Sequence, residues 1–192
     1  MTTGVLALQG AFALHEQVLE SLGEATVQVR RPEHLEGLDR LVVPGGESTT
    51  MTMLAERSGL FDALGEFARS GRPVLGTCAG AILLSARIVD GRADQRCLGA
   101  IDLTTRRNGY GRQVESFSAD LEIPVLGEPA FRAVCIRAPV IEHVGDGVEV
   151  LAELDGRPVL VRQGAIIVST FHPELADDVR LHEHFLDAGV RV

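Results

Sequence analysis

The chain has 192 residues, of which 45% are hydrophobic and 23% charged, and its formal net charge is −9. A domain of this length buries roughly 70% of the surface that its unfolded chain exposes, so it needs no disulfide or structural metal. The acidic balance argues against a nucleic-acid partner, no apolar run approaches the roughly 20 residues of a membrane span, and three scattered cysteines form neither a disulfide framework nor a zinc motif. The length predicts one domain over residues 1–192. Because the N-terminal residues lack the basic flank and long apolar region of a signal peptide, we expect it in the reducing cytoplasm.

Short apolar runs alternate with amphipathic segments in the first half of the chain. Runs bounded by turn residues predict four strands, at Val5–Leu8, Thr26–Val29, Leu41–Val43 and Pro73–Leu75. Helical spacing of apolar residues predicts the helices between them, at Ala13–Leu22, from a cap at Ser48 or Thr49 to Arg57, at Leu60–Ala68 and at Ala79–Ala86. Apolar strands that alternate with helices indicate a parallel sheet covered on both faces.

The pattern changes after Gly91, where strands are predicted to follow one another with few helices. They are expected at Leu98–Leu103, Arg132–Ile136, Val148–Leu154, Pro158–Val161 and Ala165–Thr170. The turn over residues 154–157 predicts an antiparallel hairpin, and a last helix is expected over Asp178–Leu186. We therefore predict an α/β three-layer sandwich with a mostly parallel central sheet, plus antiparallel strands in the second half.

A glycine-flanked cysteine follows the fourth predicted strand, in the sequence G-T-C-A-G at residues 76–80. A nucleophile between two glycines, after a strand and before a helix, has the form of a nucleophile elbow, whose tight turn holds the nucleophile in a strained conformation. The amide of Ala79 is then free to bind an oxyanion, and the start of the helix favours the thiolate of Cys78. A buried cysteine in a glycine-rich turn is the alternative.

A histidine follows the strand Ala165–Thr170, in the sequence F-H-P-E at residues 171–174. Proline restricts His172 to an extended conformation, and residues two apart in an extended segment point to the same side, so Glu174 is able to orient the imidazole. If the two strands are parallel, His172 lies at the same sheet edge as Cys78. The pattern predicts a Cys-His-Glu triad, with a surface histidine as the alternative.

The remaining histidines and cysteines do not suggest a site. The other histidines lack an acid at this spacing after a strand, and His182 and His184 are expected to be solvated on the last helix. Cys135 lies in an apolar run and is expected to be a buried strand residue, while Cys97 lies in a polar stretch.

The third predicted strand ends in P-G-G-E-S at residues 44–48. Two glycines allow the backbone to turn an amide towards a ligand, so Gly46 is expected to be the second oxyanion donor. A tight turn with a helix cap is the alternative, and the lysine and spacing of a P-loop are absent. A further hypothesis is that the Gly45–Gly46 peptide reorients and thereby completes the oxyanion hole.

Taken together, these three motifs resemble the triad and oxyanion elements of class I glutamine amidotransferases. Four segments are similar to the glutaminase subunits of pyridoxal 5′-phosphate synthases, and they lie at Leu6–Gly10, Pro44–Thr50, Arg107–Gln113 and Phe131–Pro139. The resemblance covers nearly the whole chain.

The resemblance implies hydrolysis of L-glutamine to L-glutamate and ammonia, with Cys78, His172 and Glu174 as the triad. It also implies that the ammonia passes to a separate (β/α)₈ synthase subunit in a hetero-oligomer. The implied glutamine-binding residues are Gly46, Glu47, Ser48, Arg107, Ile136 and Arg137. A guanidinium group is a natural partner for the substrate carboxylate. We expect no metal and no organic cofactor, since pyridoxal phosphate is the product of the complex.

Three other functions stay open at this point. The same triad serves peptidases and γ-glutamyl hydrolases. A redox or binding module with a reactive cysteine needs no Glu174. The glutaminase of a different amidotransferase needs a different acceptor for its ammonia.

Overall fold

The structure is a computed structural model that describes residues 1–92, 94–107, 109 and 116–188. Within these ranges the strands are β1 (Thr2–Leu6), β2 (Ala25–Val29), β3 (Arg40–Val43), β4 (Val74–Thr77), β5 (Ser85–Ile88), β6 (Ile101–Arg106), β7 (Ser116–Leu121), β8 (Phe131–Ile136), β9 (Val140–Val144), β10 (Glu149–Leu154), β11 (Arg157–Gln163) and β12 (Ile166–Ser169). The α-helices are α1 (Phe12–Ser21), α2 (Ser48–Arg57), α3 (Leu60–Arg69), α4 (Ala79–Leu84) and α5 (Arg180–Asp187). In the motif at 107–113, residues 108 and 110–113 lie outside the described ranges.

The central sheet has the strand order β10-β11-β12-β4-β3-β1-β2 in the described part of the chain. From β12 to β2 each strand runs parallel to its neighbour, whereas β11 and β10 are antiparallel additions at one edge. The mostly parallel sheet with antiparallel strands from the second half is therefore confirmed. Because parallel strands end at one edge, the segments that follow β3, β4 and β12 meet there.

Two apolar layers cover the sheet, one on each face. Side chains of successive strand residues point to opposite faces, so Leu41 and Val43 join one cluster and Val42 joins the other. The first cluster includes residues of α2, α3 and α4, and the second includes residues of α1 and α5, such as Leu19 and Phe185. The predicted three-layer arrangement is confirmed.

The second half of the chain adds smaller sheets and a hairpin. Strands β5, β6 and β9 form one sheet, and β7 and β8 form an antiparallel pair. The predicted hairpin joins β10 to β11, and its turn residues Asp155 and Gly156 both have positive φ, at 50° and 73°. Two consecutive positive φ values match the twist of the flanking strands.

Helix α4 ends at Leu84 and not at Ala86, because residues 85–88 form the unpredicted strand β5. The Ser85 hydroxyl donates to the Ile82 carbonyl at 2.7 Å, and the carbonyl groups at the helix end accept from residues 98–100. The N–H groups of residues 98–100 therefore bond to the end of the helix and not to a neighbouring strand. The strand predicted at Leu98–Leu103 consequently begins only at Ile101.

The first strand is also displaced from its predicted range, Val5–Leu8. It occupies Thr2–Leu6 because Thr2, Thr3 and Gly4, although weakly hydrophobic, pair in register with β2. Gln9 has left the sheet, and its Oε1 accepts a hydrogen bond from the Glu47 N–H at 2.7 Å. The end of β1 therefore contacts the loop that follows β3.

Candidate active site

Cys78 occupies the turn between β4 and α4, with φ 48° and ψ −103°. A positive φ in a residue with a Cβ is strained. The flanking glycines have no room for a side chain, since a Cβ at Gly76 would collide with Leu84 and one at Gly80 with the Val43 carbonyl. The side chain of Cys78 is buried but borders a cleft. The structure thus has the geometry of a nucleophile elbow.

His172 lies next to Cys78 because β12 pairs in parallel with β4. Thr77 is the register partner of Ser169, and the Cys78 N–H donates to the Ser169 carbonyl at 2.9 Å. The His172 N–H donates to the Val134 carbonyl of β8 at 2.8 Å, which fixes the segment after β12. His172 is extended, as Pro173 predicts, with φ −104° and ψ 90°.

The imidazole of His172 is held by Glu174, whose Oε1 lies 2.7 Å from Nδ1. The local conformation differs from the prediction, because Pro173–Leu175 form a 3₁₀ turn and not an extended segment. The turn brings the carboxylate back under the ring, and the Glu174 side chain is completely buried. Since Nδ1 is engaged, Nε2 remains for the thiol of Cys78.

The charges of His172 and Glu174 stabilise each other. Burial disfavours the imidazolium, but hydrogen bonds and charges from Cys78 and Glu174 raise the pKa of His172 to about 10. Burial also disfavours the carboxylate, but His15 and His172 hold the pKa of Glu174 far below its usual range. At neutral pH the site therefore contains a protonated His172 beside an ionised Glu174.

The loop after β3 covers the histidine from the other side. A Cβ at Gly45 would collide with the imidazole of His172 and would lie 3.3 Å from the Cys78 Cβ. The Gly45 carbonyl accepts from the Ala11 N–H at 3.1 Å. Gly10, with φ 99°, permits this approach, because a Cβ there would overlap the same carbonyl.

A cleft of about 300 Å³ opens beside the thiol. The predicted residues that line it are Gly46, Glu47, Ser48, Cys78, Ala79, Arg107, Ile136, Arg137 and His172. Glu174 lies behind His172 and does not line the cleft. The structure therefore brings every residue singled out from the sequence to one place.

Glu47, and not Ser48 or Thr49, is the N-cap of α2. Its carboxylate accepts from the Thr49 N–H at 3.2 Å and from the Thr50 N–H at 2.6 Å, because a longer acidic side chain one residue earlier reaches both amides and complements the helix dipole. Although partial burial opposes ionisation, the Thr50 and Thr49 hydrogen bonds and the charge of Arg107 lower the pKa of Glu47.

Arg107 crosses one wall of the cleft. Its Nη2 lies 3.1 Å from Glu47 Oε1, and its Nη1 donates to Thr49 Oγ1 at 2.9 Å and to Gln95 Oε1 at 3.2 Å. Gln95 also donates to the Ser48 hydroxyl at 3.0 Å. The network leaves a partly exposed guanidinium in the cleft wall.

The sequence interpretation missed four residues of this region. Gln9 and Ile82 line the cleft, and His15 and His182 are buried behind Glu174. The prediction that His182 is solvated is wrong, since it is 0% exposed. The helical spacing indicates that both histidines are buried. His182 precedes the buried Phe185 by three positions and His15 precedes the buried Leu19 by four, so each histidine lies on the apolar face of its helix.

Metal-binding groups and membrane-spanning helices are both absent from the residues that the structure describes. None of their histidine, cysteine, aspartate and glutamate side chains form a group of three or more able to hold a metal ion. No helix among them is long and apolar enough to cross a membrane.

Known proteins share both the fold and the sequence. A crystal structure described as that of a glutamine amidotransferase superposes with a TM-score of 0.92 at 50% identity, covering 98% of this chain and 99% of that one. The Pyridoxal 5′-phosphate synthase subunit PdxT of Herpetosiphon aurantiacus is 55% identical over 97% of this chain and 99% of its own length. That of Pelotomaculum thermopropionicum is 54% identical over 100% and 96%.

The parallel sheet, the strained cysteine and the histidine–glutamate pair define an α/β protein of the glutamine amidotransferase class. Residues 5–191 match the model of the SNO glutamine amidotransferase family. The chain belongs to that family.

Proposed function

We propose that this chain is the glutaminase subunit of a pyridoxal 5′-phosphate synthase, acting as one domain over residues 1–192. It hydrolyses L-glutamine to L-glutamate and ammonia and needs no metal or organic cofactor. The observation that carries the proposal is the alignment of Cys78, His172 and Glu174 at the edge of a cleft lined by Gly46, Arg107 and Arg137. Relatives more than 50% identical over nearly the full chain carry the name of that subunit.

Acyl transfer begins at the thiol. With His172 protonated at neutral pH, Cys78 reacts as the thiolate and attacks the side-chain amide carbon of glutamine. The N–H groups of Ala79 and Gly46 stabilise the oxyanion that forms. His172 then gives its proton to the leaving nitrogen, so the C–N bond breaks and ammonia departs from a thioester.

Hydrolysis of the thioester restores the site. Neutral His172 takes a proton from water, and the resulting hydroxide attacks the thioester carbon. The C–S bond then breaks and releases the side-chain carboxylic acid, which loses its proton to solvent and leaves as glutamate. The products are the Cys78 thiolate and the His172 imidazolium, which are the starting state. Glu174 stabilises the imidazolium and keeps the proton of Nδ1 in place throughout.

The cleft suits the charged end of glutamine, where the α-carboxylate and the α-ammonium group share one carbon. Arg107 and Arg137 supply positive charge for the α-carboxylate, and the Glu47 carboxylate faces the opposite charge of the α-ammonium group. Ser48 and the backbone around Ile136 complete the set of polar groups, and Cys78 Sγ lies 3.9 Å from the Ile136 carbonyl. A volume of about 300 Å³ accommodates one amino acid.

The proposed partner is a (β/α)₈ synthase subunit that consumes the ammonia in a cytoplasmic hetero-oligomer. Reorientation of the Gly45–Gly46 peptide on docking is a further part of the proposal. In a trans peptide the N–H and C=O groups point in opposite directions, so such a turn breaks the Ala11–Gly45 hydrogen bond. Equal glutaminase rates with and without the synthase subunit would contradict this step.

The decisive experiment measures ammonia and glutamate released from L-glutamine by the purified chain with its synthase subunit. Wild-type protein is expected to release both in equal amounts, and Cys78→Ser to release neither while keeping its fold and its partner. Lack of ammonia release in the presence of the synthase subunit, or hydrolysis of γ-glutamyl peptides in preference to glutamine, would overturn the proposal.

A further inference from the structure

A chain of buried polar side chains continues beyond Glu174, on the side away from the cleft. His15 of α1 and His182 of α5 are both 0% exposed. The rings lie with their centroids 5.2 Å apart. Histidines are rarely buried without a polar partner, because their desolvation costs free energy that only hydrogen bonds offset.

Polar contacts connect Glu174 to His15 and His15 to His182. His15 Nε2 lies 3.2 Å from Glu174 Oε2, the carboxylate oxygen that does not bond His172, and 3.3 Å from Thr77 Oγ1. His15 Nδ1 lies 3.0 Å from His182 Nε2. The Nε2–H of His15 is hydrogen-bonded to the Thr77 hydroxyl. Its approach to Glu174 Oε2 is a close polar contact, and that oxygen is buried without a hydrogen-bond partner among the described residues.

The acceptors fix the positions of the protons. A carboxylate only accepts, so His15 carries its proton on Nε2 and presents the lone pair of Nδ1 to His182. His182 then donates from Nε2, which leaves its Nδ1 as a bare lone pair, and Nδ1 indeed has no partner among the described residues. The opposite arrangement buries an unpaired N–H, which is costly.

The titratable groups that face Glu174 come from three elements: His172 from the adjacent turn, His15 from α1 and His182 from α5. Burial lowers the pKa of His182 to about 3, so it stays neutral at working pH. His182 therefore adds no positive charge and acts as a donor that holds the tautomer of His15.

We propose that His15 is a positioning residue for the reaction, holding Glu174 ionised and aimed at His172, and that His182 fixes the tautomer in which His15 does so. The proposal rests on the proposed glutaminase function. His15 acts through Glu174, whose second oxygen is buried with no hydrogen-bond partner among the described residues and has His15 Nε2 as its polar neighbour at 3.2 Å. Helix α1 begins one residue after Ala11, so the same segment contacts the loop after β3 and the rear of the triad.

The first test compares two substitutions of His15 in the full chain assembled with its synthase subunit. His15→Leu keeps the volume and removes the donor, whereas the amide of His15→Gln places an N–H near the position of Nε2. We expect His15→Leu to lower kcat by about 10- to 100-fold, the range for one hydrogen bond to a charged group, with KM for glutamine unchanged. The acid limb of its pH–rate profile should move to higher pH, and His15→Gln should recover most of the activity.

Leu19→Ala is the matched control, because Leu19 is buried one helical turn further along α1 and its apolar side chain has no hydrogen-bond donor for Glu174. It should lower Tm but leave kcat and the acid limb as in the wild type. A folded His15→Leu protein with wild-type kcat and acid limb would overturn the proposal. So would an acid limb that moves equally in Leu19→Ala, or a His15→Gln protein as impaired as His15→Leu, since packing alone then explains the effect.

Two measurements do not depend on glutamine turnover and therefore separate this inference from the proposed function. The rate of alkylation of Cys78 by iodoacetamide, followed against pH, should show the same displaced acid limb in His15→Leu. In wild-type protein labelled with ¹⁵N, NMR should find the proton of His15 on Nε2 and not on Nδ1 at neutral pH. A protonated Nδ1 on His15 would overturn the inference even if ammonia release is normal, whereas a wild-type complex that releases no ammonia refutes only the proposed function.

Discussion

The Gly45 carbonyl accepts a hydrogen bond from the Ala11 N–H at 3.1 Å, which ties the loop after β3 to the segment between β1 and α1. The same glycine faces the imidazole of His172 with no space for a methyl group between them. The glycines of this loop therefore serve two purposes: they allow a backbone contact on one side and a close approach to the triad on the other.

Gly45→Ala is expected to abolish most glutaminase activity while the fold survives. Its Cβ would collide with the ring of His172 and would lie 3.0 Å from Nδ1, so the ring must move away from Glu174 or the loop must shift. Because a displacement of about 1 Å costs about 100-fold in rate, kcat should fall at least that far. Glutamate release in the presence of the synthase subunit measures the activity, and circular dichroism shows whether the fold survives.

Gly65→Ala in α3 is the control for this substitution. A Cβ at Gly65 meets only the flexible end of Arg69, and alanine favours a helix more than glycine does. Stability should stay level or rise and the rate should be unchanged. Full activity in Gly45→Ala would contradict the close approach that the structure shows.

Glu174→Gln tests the electrostatics of the buried carboxylate through stability. The pKa of Glu174 is lowered on folding from an ordinary value of 4.5. Its ionised form therefore contributes stability above pH 4.5, and this contribution is lost as the pH falls towards the folded pKa. We expect the free energy of unfolding of the wild type to fall more steeply between pH 4.5 and pH 2 than that of Glu174→Gln.

Urea denaturation at a series of pH values gives both slopes. Glu153→Gln, at an exposed position of β10, is the control and should keep the steep wild-type slope. Parallel slopes for the wild type and Glu174→Gln would mean that the carboxylate is not stabilised by its histidines.

The residue types and their spacing were sufficient to predict the elbow, the histidine–glutamate pair and the parallel sheet. Each is a local pattern with a local cause: small residues beside Cys78, a proline after His172, and apolar runs of strand length. Their convergence follows from a general property of parallel strands, which end at the same edge. These patterns therefore predicted that Cys78, His172 and the loop at 44–48 meet at one edge. The family resemblance supplied the other predicted residues of the cleft, and Gln9 and Ile82 were missed.

The parts that were missed depend on contacts between distant segments. Strand β5 exists because residues 98–100 close the end of α4, and no pattern within 85–88 indicates that. Residues His15 and His182 are separated by 167 positions and meet only when α1 and α5 pack on one face of the sheet. A histidine on the apolar face of a helix is visible in the sequence, but its partner is not.

Alkylation should distinguish Cys78 from the other two thiols. Burial, together with the nearby Cys78, raises the pKa of Cys135 to about 11, and burial also raises the pKa of Cys97, so both are protonated and unreactive near neutral pH. Cys135 lies buried in β8, as expected from the sequence. Cys78 instead borders the cleft beside a protonated His172.

Iodoacetamide at pH 7 is therefore expected to modify Cys78 first, with loss of glutaminase activity in proportion to its labelling. Peptide mapping by mass spectrometry measures the three sites separately. Glutamine should slow the labelling of Cys78, and Cys78→Ser should show almost none at the remaining thiols. Equal rates at Cys78 and Cys97 would contradict the assignment of Cys78 as the activated thiol.

Arg107→Gln should weaken glutamine binding more than it slows the chemistry. The guanidinium lies in the cleft wall, where Glu47 and Thr49 hold it. It takes no part in the proposed steps of Cys78 and His172. Loss of one charged hydrogen bond to the substrate carboxylate raises KM by about 10-fold or more, with a smaller change in kcat.

Arg106→Gln is the control, because it changes the net charge by the same amount as Arg107→Gln. Arg106 pairs with Glu142 and does not line the cleft. Kinetics with glutamine and the synthase subunit should separate the two variants by KM, and an equal KM in both would mean that Arg107 only braces the cap of α2.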